Sequence, residues 1–145
     1  MAYISTQDVK RIRETLKIAF PEFKFGVCKG PGSLSVDVTV KSGPMDFSDV
    51  LRDGYAQVNP YHLGNYAPEF AFFFREVIRV IKQAPANKWF DKSDSQSDYF
   101  HTAFYFHVNV GSWRQPYVYT PSKKEWVIAP SNTQAAIAAT ELSYA

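Results

Sequence analysis

The chain has 145 residues, 46% of them hydrophobic, and its 16 basic and 14 acidic side chains leave a formal net charge of +2. This length predicts one domain with a sizeable core, and the near-neutral charge argues against both a dedicated nucleic-acid binder and an acidic mimic of DNA. One cysteine excludes an internal disulfide and a thiolate zinc cluster, and no segment resembles a membrane span or a signal peptide, so we expect a cytoplasmic protein with no membrane partner.

A first helix is predicted to begin at Ser5 or Thr6, either of which can cap it, and to end before Pro21. Its apolar side chains recur at helical spacing: Val9, Ile12, Leu16, Ala19 and Phe20. Its outer side carries four basic residues, Lys10, Arg11, Arg13 and Lys17. Such a stripe is typical of a solvated face, and the alternative is a contact with phosphate groups of a nucleic acid.

Two strands follow, each with one buried face. Apolar residues alternate with polar or small ones from Phe23 to Val27 and again from Leu34 to Val40. Between them, residues 29–33 contain the glycines and the proline of a tight reversal. The pattern therefore predicts an antiparallel hairpin.

The next segment, residues 42–66, has no clear periodicity and predicts a short helical turn within a long ordered loop. Pro68 and Glu69 suit the first turn of a second helix that runs to about Gln83, ahead of Pro85. Its inner face is apolar and consists of Phe70, Phe73, Phe74, Val77, Ile78 and Ile81.

After a polar loop, residues 102–110 alternate as a strand with Phe104, Phe106, Val108 and Val110 on one face. A short strand at residues 117–119 is expected to return beside it, and residues 125–128 to add an edge. The order α-β-β-α-β-β predicts an α+β domain over residues 1–130, with an antiparallel sheet of about four strands and two helices packed on one face. Residues 131–145 are interpreted as a tail or a short helix.

No motif of a known enzyme class occurs, so we predict no enzyme activity, no cofactor and no metal site. His101 and His107 share a strand face but lie roughly 20 Å apart in an extended chain, too far to bind one metal ion. A Cys28 nucleophile with His107 as its base is conceivable, since both residues are expected on the open face of the sheet.

Several short motifs are distributed between residues 4 and 119: Ile4-Ser-Thr-Gln-Asp-Val-Lys-Arg-Ile-Arg13, Ala19-Phe-Pro-Glu-Phe-Lys-Phe25, Ser42-Gly-Pro44, Gln57-Val-Asn59, Ser93-Asp94, Asp98-Tyr-Phe100, Val108-Asn-Val-Gly111 and Pro116-Tyr117. Together they resemble one of the large polyvalent-protein-associated domains of phage and mobile-element proteins. The resemblance implies an accessory protein that acts beside invading DNA in the host cytoplasm, often against host defences. It implies no catalytic residue.

The aromatic content of 17% has two interpretations, a bulky core or an aromatic contact surface. An aromatic contact surface, taken together with the resemblance to the polyvalent-protein-associated domains, predicts a non-enzymatic binding protein. We expect it to inhibit a host defence component, as anti-restriction or anti-CRISPR proteins do. The candidate contact residues are polar or amphipathic residues of the loops and the open sheet face: Tyr55, Asn59, Tyr61, Asp94, Asp98, Tyr99, His107 and Trp113.

Two alternatives stay open at this stage. The first is nucleic-acid binding through Lys10, Arg11, Arg13 and Lys17, with an affinity that falls steeply with salt. The second is a sponge for a signalling nucleotide, in which Tyr and Trp side chains stack on a base and Arg52 or Arg114 binds phosphate.

Overall fold

The computed structural model describes residues 3–60, 62–85, 89, 104–112, 114–120 and 130–143. The α-helices and strands in these ranges are α1 (Thr6–Ala19), β1 (Lys24–Lys29), β2 (Ser35–Gly43), β3 (Ala56–Val58), α2 (Pro68–Gln83), β4 (Tyr105–Val110), β5 (Val118–Tyr119) and α3 (Pro130–Ser143). The α+β class expected from the sequence is confirmed.

Helix α1 begins and ends as its sequence predicts. The Ser5 side chain caps it by accepting a hydrogen bond from the Asp8 backbone N–H at 3.0 Å, and Asp8 places a negative charge in the first turn. Helix α2 carries its predicted apolar face into the core, with Phe73, Phe74 and Val77 fully buried. Helix α1 therefore follows from local capping, helix α2 starts at Pro68 without a side-chain cap, and both follow from the 3.6-residue spacing of apolar side chains.

The predicted hairpin of β1 and β2 is also confirmed. The two strands are antiparallel, Val27 lies opposite Val38, and a 3₁₀ turn at Pro31–Ser33 joins them. On the outer edge of β1, the Arg13 guanidinium donates a hydrogen bond to the Val27 carbonyl at 2.8 Å. This bond satisfies an edge carbonyl that would otherwise be available to a strand from another chain.

The predicted fully antiparallel sheet is wrong, because the sheet is mixed. Its order is β1-β2-β4-β3, and β2 is parallel to β4, with Val38 opposite Val108. A parallel pair needs a long crossover between its strands. Here β3 and the 16 residues of α2 lie between β2 and β4 in the chain. This connection brings the chain back to the end of the sheet where β2 began, so that β4 can run parallel to β2.

Strand β3 lies inside the segment that was expected to be a loop, although the helical turn expected there is present at Leu63–Asn65. The backbone reverses just before β3 through Asp53 and Gly54, whose φ angles of 57° and 88° are those of a type I′ turn. Strand β3 then pairs with β4 in the antiparallel direction, and Gln57 lies opposite Asn109.

The prediction that β5 returns beside β4 is also wrong. Strand β5 pairs with β2, in parallel, at Ser42 and Gly43, directly beyond the part of β2 that pairs with β4. The chain leaves the sheet at Gly111, which has a φ of 66°, and rejoins it at Val118. The predicted edge strand at residues 125–128 lies outside the described residues.

The core lies between one face of the sheet and helices α1 and α2. Val36, Val38 and Val40 of β2 are completely buried on that face, as is Val110 of β4. Phenylalanine rings fill the space between the sheet and the helices, for example Phe73, whose ring stacks on that of Phe23 at a centroid distance of 4.5 Å. Much of the aromatic content is therefore core.

The C-terminal segment contains a third helix, α3, where two helices were expected. Helix α3 packs on α1 and α2 partly through polar contacts. The Thr15 and Thr140 hydroxyls lie 2.7 Å apart, and the Arg79 guanidinium donates to the Gln134 side-chain oxygen at 2.6 Å. Among the described residues, no helix is long and apolar enough to cross a membrane.

Replacing Gly111 by alanine is expected to destabilise the fold. A Cβ at this position would lie 2.6 Å from the Tyr117 nitrogen and 2.7 Å from the Gly54 oxygen, in a backbone conformation that L-residues rarely adopt. We expect a loss of at least about 2 kcal/mol in the free energy of unfolding, measured by urea denaturation.

Gly64→Ala is the matched control, because nothing lies within 4 Å of a Cβ built there and its φ is not in the left-handed region. We expect a change within about 1 kcal/mol of zero. Equal effects of the two substitutions would show that Gly111 is not conformationally required.

Candidate functional site

The face of the sheet opposite the helices is polar and accessible, and we call it the open sheet face. Cys28, Asp37 and His107 form a row across β1, β2 and β4, because Cys28 is paired with Asp37 and Asp37 with His107. A second row joins all four main strands. It consists of Gly26, Thr39, Asn109 and Gln57. Each of these seven residues alternates with a neighbour that faces the core, so the pairing alone places them on one surface.

The exposed side chains of this face combine aromatic and polar character. Tyr105 of β4 is 48% exposed, and Cys28, Gln57 and His107 are also exposed, whereas Asp37 and Thr39 are half-buried. Charges of both signs are present, since Lys41 follows Thr39 by two residues and its side chain lies over Gly26. The face is therefore amphipathic and close to neutral.

Three of the eight candidate contact residues lie in the described part of the chain, and all three are exposed. His107 is on the open sheet face. The last pair between β3 and β4 is Val58 with Val108, and the next residue on each side of that pair is Asn59 and His107. Asn59 therefore lies next to His107. Tyr55 is 40% exposed and precedes β3. The other five lie outside the described residues: Tyr61, Asp94, Asp98, Tyr99 and Trp113.

Cys28 and His107, considered above as a nucleophile and its base, lie on one face of the sheet as expected, but they are far apart. Asp37 stands between the two residues, so their Cα atoms are two strand spacings apart, roughly 10 Å. No hydrogen bond between the described residues joins their side chains, and a nucleophile needs its base at about 3 Å. In residues 3–60, 62–85, 89, 104–112, 114–120 and 130–143 no group of three His, Cys, Asp or Glu side chains is placed to hold a metal ion.

The basic residues of α1 do not form a uniform charged stripe. Lys10 and Lys17 are exposed, Arg11 is half-buried, and the Arg13 guanidinium is bonded to the Val27 carbonyl. Two of the four residues thus contribute to packing and edge protection. Binding of a nucleic acid through them stays a prediction.

A second feature, which we call the β3 cleft, lies beside strand β3. It is an open cavity of about 490 Å³. Seven residues line it: Val50, Arg52, Asp53, Tyr55, Ala56, Gln57 and Tyr66. It combines one guanidinium, one carboxylate, one amide and two phenol rings, a set that can hydrogen-bond to and stack on a small ligand.

The walls of the β3 cleft are held by the surrounding backbone. Arg52 and Tyr55 exchange both backbone hydrogen bonds across the turn, at 2.9 and 3.2 Å. The Gly54 carbonyl accepts a bond from the Tyr117 backbone N–H at 2.9 Å, and the Tyr117 hydroxyl donates to the Met45 carbonyl at 2.6 Å. Tyr66 packs edge-on against Phe74, with ring centroids 5.2 Å apart.

Sequence analysis did not identify four residues of these two surfaces as candidates. They are Asp37 and Tyr105 on the open sheet face and Gln57 and Tyr66 in the β3 cleft. Arg52 was expected to bind phosphate, and it does line a cavity, whereas Arg114 is exposed on the loop after β4. The dipeptide Asp53-Gly54 is a strong signal for a two-residue hairpin turn and predicts a strand directly after it. With that strand assigned, Tyr55, Gln57 and Asn59 fall on one side of the chain.

The chain matches no protein-family model, no curated protein sequence and no solved structure. Its function therefore has to be inferred from the geometry of its own surfaces.

The buried Tyr117 hydroxyl that supports the β3 cleft is expected to make stability depend on pH. Burial, and secondarily the nearby Asp46 carboxylate, raise the pKa of Tyr117 above its ordinary value. In the unfolded chain this phenol loses its proton near pH ~10, whereas the folded chain retains it, so the unfolding free energy should fall as pH rises above that point.

Tyr117→Phe should reduce this fall between about pH 9 and pH 11, measured by urea denaturation at each pH. Gly64→Ala is the control, because it changes no ionisable group and should leave the slope unchanged. If the unfolding free energy falls equally with pH in the wild type and in Tyr117→Phe, the buried Tyr117 hydroxyl is not the cause of the pH dependence.

Proposed function

We propose that this chain is a binding protein and that the open sheet face contacts a host protein. In this proposal it is an accessory protein of a phage or mobile element that inhibits a host defence component, of the anti-restriction or anti-CRISPR type. The source and the target come from the resemblance of its short motifs to the polyvalent-protein-associated domains. The contact surface comes from the geometry of the sheet.

The observation that carries the proposal is that, in the part of the chain that the structure describes, the helices lie on one face of the mixed sheet. The other face presents the exposed Tyr105 and His107, with Asp37 and Asn109 beside them. Tyrosine is enriched at the centres of protein interfaces, where a large amphipathic side chain can be buried with its hydroxyl hydrogen-bonded. A rigid sheet also loses little conformational entropy when a partner binds.

The charge of the open sheet face favours a protein over a nucleic acid. Asp37 lies near its centre, and Lys41 provides a positive charge nearby. Binding to a phosphate backbone depends on clustered basic side chains that release counterions. A face that carries both signs among uncharged polar groups suits a protein surface of mixed polarity.

The first test is a pull-down of the tagged protein from host-cell lysate at moderate and high salt. We expect a stoichiometric protein partner that resists high salt. The double variant Tyr105→Thr/His107→Thr, which keeps β-strand propensity on an exposed face, should reduce capture of that partner at least about tenfold.

Lys17→Ala/Arg75→Ala is the matched control, since both residues are exposed on helices. It should retain full capture. Capture that survives the strand variant but is lost in the helix variant would place the contact on the helices instead. Salt-labile nucleic acid as the retained material would favour the basic residues of α1.

A second test addresses the biological role. Expression of the chain in a bacterium that carries a restriction or CRISPR system should raise the plating efficiency of a phage which that system restricts. The Tyr105→Thr/His107→Thr variant, expressed at the same level, should not. No rise with the wild-type chain against either class of system would contradict the counter-defence proposal.

A further inference from the structure

We infer that the β3 cleft is a binding site for a nucleotide that carries a single phosphate group, either free or within a single strand. Gln57 lies both on the open sheet face and in the β3 cleft, but this inference is carried by Arg52, Tyr55 and Tyr66, whereas Tyr105 and His107 carry the proposed protein contact. The inference depends on the shape of the β3 cleft, on the exposed polar groups that line it, and on their charge.

The size of the β3 cleft is appropriate for a small molecule. Its volume of about 490 Å³ falls within the roughly 300–1,000 Å³ that is usual for ligand pockets. Most of its lining comes from one continuous stretch, residues 50–57, and Tyr66 adds a wall from the other side of β3. The ligand would therefore lie between a hairpin turn and an aromatic ring.

Three polar side chains of the β3 cleft are available to a ligand. The side chains of Arg52, Asp53 and Gln57 form no hydrogen bond or ion pair with any residue that the structure describes, although all three are exposed at the cleft. A guanidinium that is not engaged within the protein can bind a phosphate through two parallel hydrogen bonds. Arg52 is therefore the residue that we expect to bind the phosphate.

The aromatic residues provide faces on which a base can stack. Tyr55 is 40% exposed, and Tyr66 is half-buried. The Tyr66 ring is fixed by its contact with Phe74, and the Tyr66 hydroxyl accepts a long hydrogen bond, 3.4 Å, from the Asn59 backbone N–H. A base that stacks on a tyrosine gains about 1–3 kcal/mol. The Asp53 carboxylate and the Gln57 amide then remain for hydrogen bonds to the sugar or to the base edge.

The charge of the β3 cleft limits the ligand. Arg52 contributes one positive charge and Asp53 one negative charge, so the lining is neutral overall. A triphosphate would meet one guanidinium and a repelling carboxylate. A phosphodiester carries one negative charge, which one arginine matches, and a nucleoside monophosphate carries at most two, far fewer than a triphosphate.

The cleft is also built before any ligand arrives. The Arg52–Tyr55 backbone pair and the bond from the Tyr117 N–H to the Gly54 carbonyl fix the turn that carries Arg52. Little ordering of the backbone is then required on binding, which favours affinity.

The experiment is isothermal titration calorimetry of the full chain with AMP, GMP, CMP and UMP. We expect at least one of them to bind with a dissociation constant in the micromolar to millimolar range, and the matching nucleoside to bind at least about tenfold more weakly. Arg52→Gln should weaken nucleotide binding by about the same factor. Tyr55→Leu should weaken the nucleotide and the nucleoside alike, because it removes a stacking face.

Arg75→Gln and Tyr3→Leu are the matched controls, since each removes an exposed residue of the same type outside the β3 cleft. Both should bind as the wild type does. The melting temperature of each variant shows whether it is folded. No binding of any of the four nucleotides at millimolar concentration, or binding unchanged in Arg52→Gln, would overturn the inference.

A short single-stranded oligonucleotide distinguishes a free nucleotide from a nucleotide within a single strand as the ligand. Equal affinity per nucleotide for AMP and for an oligoadenylate would indicate a free nucleotide, whereas much tighter binding of the oligonucleotide, still dependent on Arg52, would indicate a strand. The protein contact is tested separately, because Arg52→Gln leaves Tyr105 and His107 in place.

Discussion

The parallel pairing of β2 with β4 is the constraint on which the rest of the structure depends. It aligns Val36, Val38 and Val40 with Phe106, Val108 and Val110, so that one face of two central strands becomes apolar over its whole length. A parallel pair cannot be joined by a tight turn. The chain between β2 and β4 therefore forms β3 and α2, and α2 covers the apolar face with its phenylalanines. The same register places Ser35, Asp37 and Thr39 beside Tyr105, His107 and Asn109 on the opposite face.

Both candidate sites arise from this arrangement. The helices lie on the apolar face, which leaves the open sheet face as an amphipathic surface with Tyr105 exposed at the end where β4 begins. Strand β3 pairs with the side of β4 that β2 leaves free, and the type I′ turn that leads into β3 projects Arg52 and Tyr55 beside it. The loop from Gly111 to Tyr117 then packs on that turn, with the Tyr117 N–H bonded to the Gly54 carbonyl. A surface suited to a protein and a cleft suited to a small ligand thus occur on different parts of one sheet.

Much of the fold could be predicted from local signals. Capping by Ser5, the helical spacing of Phe70 to Ile81 and the alternation from Leu34 to Val40 each depend on near neighbours in the chain. The direction of β4 could not be predicted, because alternation with a period of two residues identifies the buried face of a strand and not the orientation of its partner. Strand β5 has only two residues and is defined by its pairing with Ser42 and Gly43, far away in sequence. The exposure of Tyr55, Asn59 and His107 was expected from alternation and loop position. The β3 cleft was not, since Tyr66 and Arg52 are brought together by packing.

The central claim is that the open sheet face binds a protein partner, and the single cysteine allows the most direct test of it. Cys28 is exposed on that face, so a photo-crosslinker can be attached there in the wild-type chain. Irradiation in host-cell lysate, followed by mass spectrometry, should yield one dominant protein adduct. The comparison is a Cys28→Ser/Lys17→Cys variant, which carries the same crosslinker on the outer side of α1. The account predicts that the adduct forms from Cys28 and not from residue 17. An adduct that forms only from residue 17 would contradict it.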